Sequence, residues 1–130
     1  MSPDSPQATE LKKELDKLIA SAASEDFSIL DNIYHDNMQI YLLDANNTLH
    51  RMDKLGFKQH VIESTKTAQA PQIWSKYHLV EADKHNGHII ISRKVNLTGE
   101  QQLVTLSIDF IFEDDRWQIT REVIFVSDDK

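Results

Sequence analysis

At 130 residues and 40% hydrophobic content, the chain has the length for one compact domain with a real core and no room for a second. A formal charge of −7, with the bases scattered among acids, argues against a nucleic-acid or anionic-membrane partner, since both reward clustered Lys and Arg. The lack of cysteine excludes disulfides, thiolate catalysis and Cys-bound zinc, and with neither an apolar leader nor a run near the ~20 residues of a membrane span, the chain reads as a soluble cytoplasmic protein.

Residues 1–7 read as a disordered polar tail before a single domain over 8–130, with Ser5 placed to cap a helix that opens at Pro6. Leu11, Leu15, Leu18, Ile19 and Ala22 form one apolar stripe on that helix, opposite Lys12, Lys13 and Lys17. Phe27, Leu30, Ile33 and Tyr34 repeat the spacing in a shorter helix ending near His35. Met38 to Leu43 then alternates as a strand, and Asp44-Ala45-Asn46-Asn47 is turn chemistry leading to a return strand over Thr48 to Met52. Asp53 can cap a third helix in which Phe57, His60, Val61 and Ser64 share a face and which Ala70-Pro71 ends. From there strands are expected over 74–83, 87–97, 103–113 and 116–126. Helices first and strands after predict an α+β domain, with the helices laid on one face of a curved antiparallel sheet.

The dipeptide Asn86-Gly87 suits a type I′ hairpin, whose central residues both need positive φ. That turn pairs Ala82 with Ile91, Val80 with Arg93 and His78 with Val95. A four-residue connection, Thr98 to Gln101, pairs Val95 with Val104 and Arg93 with Leu106. A tight turn at Asp114-Asp115 pairs Phe112 with Trp117, Ile108 with Arg121 and Leu106 with Val123. All three registers agree on one apolar face, interrupted only by His78, Arg93 and Arg121, and none puts a carboxylate there.

A guanidinium cannot shed its proton to escape burial, so each arginine must either pair with an acid or hold the anionic end of a ligand. His78, beside Arg93, is a candidate general base near neutral pH. His60 lies on the inner stripe of the third helix, and Trp74 and Tyr41 offer flat apolar surfaces for a ligand. His35 is expected to satisfy the carbonyls at the end of the second helix. No phosphate loop, nucleophile elbow or acidic metal cluster occurs, so neither a cofactor nor a metal is expected. The opposite face, with Leu79, Ile90, Ile111, Ile124 and Val126, is too apolar for solvent alone and suits a homodimer interface.

The stretches Leu30-Asp31-Asn32-Ile33-Tyr34-His35-Asp36-Asn37 and Arg116-Trp117-Gln118-Ile119-Thr120-Arg121-Glu122-Val123-Ile124-Phe125, with Phe57 between them, resemble the nuclear transport factor 2-like (NTF2-like, SnoaL-like) superfamily. They are similar in particular to its bacterial group named for lumazine binding. The resemblance implies a cone-shaped, cystatin-like α+β fold with a cavity at its open end, and often a back-to-back dimer. It does not choose a function, because this superfamily hosts isomerases, dehydratases, cyclases, hydrolases and non-enzymes alike. Where steroid-isomerase relatives carry a strand carboxylate and a helix tyrosine, this chain has Leu42 and Leu18, so their acid–base set is absent. Ser107-Ile108-Asp109-Phe110 resembles the stretch in which those enzymes keep a protonated Asp, but Asp109 points outward unless a β-bulge intervenes. The expected function is therefore binding of a small, mostly apolar organic molecule whose polar end meets Arg93, Arg121 and His78. The alternatives are an isomerase, dehydratase or hydrolase using a pocket histidine, and a ligand-free dimerisation or adaptor module.

Overall fold

The computed structural model describes residues 5–67, 74–95 and 102–128. Ser5 accepts the Ala8 amide at 3.0 Å and caps α1, Pro6–Ala23, so the helix opens at Pro6 as expected. Ser5 Oγ also donates to the Ala82 carbonyl at 3.0 Å and so ties the helix start to the sheet. Leu11, Leu15, Leu18 and Ile19 are buried as the stripe requires. The second helix is a single turn, α2, Leu30–Ile33, because Tyr34 already joins a strand, β1, Tyr34–Leu43. β2, Leu49–Met52, returns from it. Asp53 accepts the Gly56 amide at 2.8 Å at the start of α3, Lys54–Thr67; the expected stop at Ala70-Pro71 lies outside the described residues. The meander follows as β3, Ser75–Ala82, β4, Asn86–Val95, β5, Gln102–Glu113, and β6, Arg116–Asp128. No helix among the described residues is long and apolar enough to cross a membrane.

The six strands form one sheet in the order β2-β1-β6-β5-β4-β3. It is mixed, not purely antiparallel as expected, because β1 runs parallel to its neighbour β6. α1 and α3 lie against one face, where Ile40, Ile89, Ile91, Ile108 and Ile119 are fully enclosed. We call this the inner face and its reverse the outer.

Several registers differ from the expectation, each for a local reason. The β3–β4 reversal is not at Asn86-Gly87. The Asp83 carboxylate accepts the amides of both His85 and Asn86 at 2.8 Å, and the turn closes between Asp83 N and the Asn86 carbonyl, so Ala82 faces Gly87. Gly87 is needed for a different reason: a Cβ there would stand 2.5 Å from Leu11 Cδ2 of α1. Across the next connection Arg93 pairs with Val104, not Leu106, and Val95 with Gln102. A shift of two residues leaves the faces unchanged; the expected turn residues 98–101 lie outside the described residues. At Asp114-Asp115 the tight turn forms as expected, with φ of 56° and 61°.

Two bulges then change which residues face inward. One falls in β3 between Tyr77 and Leu79, the other in β6 opposite Asp109 and Phe110, where Thr120 is the extra residue. Beyond the second, Ile108 pairs with Glu122 and Leu106 with Ile124, correcting the expected partners Arg121 and Val123. A third irregularity, in β1 between Tyr34 and Gln39, falls beside it. Bulges on neighbouring strands at one level bend the sheet around the helices.

Candidate functional site

The bulges replace two of the three expected inward polar residues with others. His78 turns outward and is exposed, with Nε2 at 2.8 Å from Ser92 Oγ, which in turn lies 3.0 Å from Thr105 Oγ1. Tyr77 takes the inner side instead and donates to Asp16 Oδ1 of α1 at 2.6 Å, with Lys12 Nζ 5.0 Å from its ring centre. Arg121 is likewise outside and exposed, and Glu122 is inside, 4% exposed. Only Arg93 keeps its expected place. The expectation that no carboxylate faces inward is therefore wrong.

Glu122, Arg93 and Tyr34 form an ionisable cluster on the inner face. Burial pushes the Glu122 carboxyl up to about 7, against the pull of the Arg93 guanidinium. Burial, and then the charge of Glu122, hold the Tyr34 hydroxyl well above its ordinary range. Arg93 is drawn down by burial and held up by Glu122, Tyr34 and Tyr77, so these side chains share one field. The Tyr34 ring packs on Phe57 at 5.7 Å, and the Phe57 ring stacks on His60 at 6.4 Å. Burial is the main cause that lowers His60 below its ordinary 6.5, opposed by Glu63. Its Nε2 is enclosed with no hydrogen-bond partner among the described residues. A buried polar atom of this kind calls for a water, an ion or a ligand group to complete it. His60 and Arg93 are thus the two expected site residues that lie on this side.

The sequence reading missed Glu122, Tyr34 and Tyr77. In β6 the only signal was ambiguous, since Val123 and Phe125 on one phase compete with Ile124 and Val126 on the other, and either phase places one charged residue inside. In the sequence alone Tyr34 reads as the end of a helix. Asp109, by contrast, points outward as expected.

Tyr41 and Arg121 meet on the outer face, away from the inner cluster. The guanidinium carbons of Arg51 and Arg121 lie 5.8 and 6.0 Å from the Tyr41 ring centre, and the Tyr41 hydroxyl donates to Gln39 Oε1 at 2.7 Å. An open cleft of about 470 Å³ begins there. Trp74 is also outside, 44% exposed, with Lys94 Nζ 5.2 Å from its ring. His35 does not serve helix carbonyls: its Nδ1 accepts the Asn37 amide at 3.1 Å and its Nε2 lies 3.4 Å from Glu113.

His88 stands between Asp109, 2.6 Å from its Nδ1, and Ser107, 3.1 Å from its Nε2. This is the connectivity of a hydroxyl nucleophile with its base and orienting acid. β5 is hydrogen-bonded to β4 on one side and β6 on the other, however, so the amides near Ser107 are committed to ladders and offer no oxyanion hole.

The fold these residues occupy is NTF2-like. A crystal structure of an NTF-2 like protein of unknown function from Silicibacter pomeroyi DSS-3 superposes with a TM-score of 0.77 at 10% identity, covering 98% of this chain and 100% of that one. NTF2-like proteins from Shewanella baltica OS155 (TM-score 0.68, 13% identity, 90% of each chain) and Cytophaga hutchinsonii ATCC 33406 (0.69, 8%, 95% and 100%) share it. No family model and no curated protein matches the sequence. At such identities the likeness speaks for the fold alone, and function must be argued from the residues.

Proposed function

We propose that the protein binds a small, mostly apolar organic molecule on the inner face of the sheet, with its polar or anionic end set among Arg93, Glu122 and Tyr34 and with His60 beside it. The observation that carries this reading is the bulge at Thr120, which brings the Glu122 carboxyl onto the inner face within the field of Arg93. Burying charge is costly, and a ligand carrying a hydrogen-bonding head would use both groups. A pterin-like heterocycle, as the lumazine resemblance suggests, is one member of that class. Acid–base catalysis is a second reading, favoured by one observation: a carboxyl at about 7 can both accept and return a proton near neutrality. We also propose that the outer face pairs with a second copy. Phe125, 49% exposed, stands there, whereas Ile124 and Val126, expected on this face, are buried on the inner one.

The test is thermal unfolding against a panel of heterocyclic and aromatic carboxylates, ketones and pteridines, for the wild type and for Glu122→Gln and Arg93→Met. A ligand at roughly 100 times its Kd stabilises by ~2.7 kcal/mol. A midpoint shift present in the wild type and absent in folded variants supports the site. If no compound shifts the wild type, the adaptor reading replaces it. Light scattering of Phe125→Lys separately tests the dimer, whose expected outcome is a monomer.

A further inference from the structure

The cleft at the β1–β2 hairpin, beside the start of α3, is built unlike the rest of this acidic surface. Gln39, Ile40, Tyr41, Arg51, Met52, Asp53 and Gly56 line it, and Arg121 stands beside it, near the Tyr41 ring. Its volume of about 470 Å³ falls within the roughly 300–1,000 Å³ of ordinary small-molecule sites. Arg51 lies directly across from Tyr41 on the edge strand, and Arg121 approaches from β6, where it pairs with Gln39. The two guanidiniums thus lie within cation–π reach of one ring. The bond from Tyr41 to Gln39 holds the ring in place.

Neither arginine makes an ion pair among the described residues. Asp109, the cross-strand neighbour of Arg121, turns its Oδ1 to His88 at 2.6 Å. A guanidinium resting on an aromatic face keeps its in-plane N–H donors for other acceptors, and those donors match a carboxylate in pairs. The single acid in the lining, Asp53, has Oδ1 occupied by the Gly56 amide at 2.8 Å and lies at the start of α3. It repels an anion at that end, so the ligand's charge belongs at the arginine end, with its flat body against Tyr41.

From this geometry we infer that the cleft is a second binding site, separate from the inner cluster, for a small planar carboxylate held by Arg51 and Arg121 over Tyr41. The flat ring is part of the assignment, because a bare oxyanion would use the arginines and leave Tyr41 without a role. A cationic ring would meet two guanidiniums and be refused.

Isophthalate, inorganic phosphate and benzamidine are suitable probes, one with ring and charge, one with charge alone and one with a ring of the wrong sign. Titrations of the full chain followed by the Arg Nε–H and Tyr41 ring resonances should show saturable binding of isophthalate, with phosphate at least roughly tenfold weaker and benzamidine without effect. Arg51→Gln and Arg121→Gln should each weaken isophthalate roughly tenfold, whereas Lys76→Gln, an equal charge change elsewhere on the outer face, should leave it unchanged. All three positions are exposed, so the variants fold. The inference is overturned if phosphate binds as well as isophthalate, if Lys76→Gln weakens binding as much as the arginine changes do, or if no probe moves those resonances at millimolar concentration.

Discussion

The contribution of Glu122 to stability should fall as pH rises from 4.5 to about 7. Burial lifts this carboxyl from its ordinary 4.5 to about 7. A folded-state pKa above the unfolded one means that the native chain holds the proton more tightly. The contribution is therefore complete below 4.5 and is lost as pH climbs through about 7. At ~1.4 kcal/mol per pH unit, the loss across that window is about 3 kcal/mol. The side chain is only 4% exposed, so solvent screening does not reduce the figure.

Other groups titrate around it, which decides how the experiment must be arranged. His60 acts in the opposite sense: burial lowers its folded pKa below 6.5, so its contribution is lost as pH falls through that lowered value. Asp31, Asp36 and Asp44, lowered chiefly by hydrogen bonds from Lys58, Lys54 and His50, contribute above 3.8 and lose stability only in stronger acid. Comparison of wild type with Glu122→Gln removes all of these terms in common. Urea unfolding, followed by the fluorescence of buried Trp117, should give curves that meet near pH 4.5 and separate until the variant is the more stable by about 3 kcal/mol above pH 7. Parallel profiles, or a wild type that gains on the variant with rising pH, would refute the placement of this carboxyl in an enclosed site.

Gly87→Ala should destabilise by about 1–3 kcal/mol in thermal or urea unfolding, since the new Cβ must displace Leu11, itself fully buried. Ser5→Ala should cost about 1 kcal/mol and raise amide exchange in the first turn of α1, because it removes the Ala8 cap and the bond to the Ala82 carbonyl. Phe57→Ala should cost about 3–5 kcal/mol. It should also move the His60 titration, read by the imidazole C–H resonances, back up towards 6.5 as water reaches the ring. A His60 midpoint that stays where it was would mean that Phe57 is not what shields it.

Hydrophobic period and turn chemistry were legible wherever a single local rule acted alone. The α1 stripe, the Ser5 cap and the Asp114-Asp115 turn are of this kind. Asn86-Gly87 misled because two rules competed. The pair is compatible with a tight turn, but Asp83 offers a carboxylate that satisfies two amides of the reversal at once, and the glycine serves contact with Leu11. That contact is long-range and leaves no periodic trace. The parallel pairing of β1 with β6 is likewise a tertiary choice, since period-two alternation reports which face is buried and not the direction of the neighbouring strand.

The inner cluster was hidden for a more specific reason. Period-two reading carries phase along a strand and loses it at one extra residue, so everything beyond Thr120 turned over, and one residue of β3 did the same at His78. The errors are paired: each bulge exchanges a basic side chain for an acidic or phenolic one on the inner face, Arg121 for Glu122 and His78 for Tyr77. A strictly alternating sheet of this sequence would have enclosed Arg93, Arg121 and His78 together without a carboxylate, an arrangement with strong like-charge repulsion and no internal relief. The bulged sheet encloses Arg93 with Glu122 instead and sends the second arginine to the outer surface, where it flanks Tyr41. The same register irregularity thus supplies the acid for the inner site and the second guanidinium for the outer cleft. Its absence would leave neither.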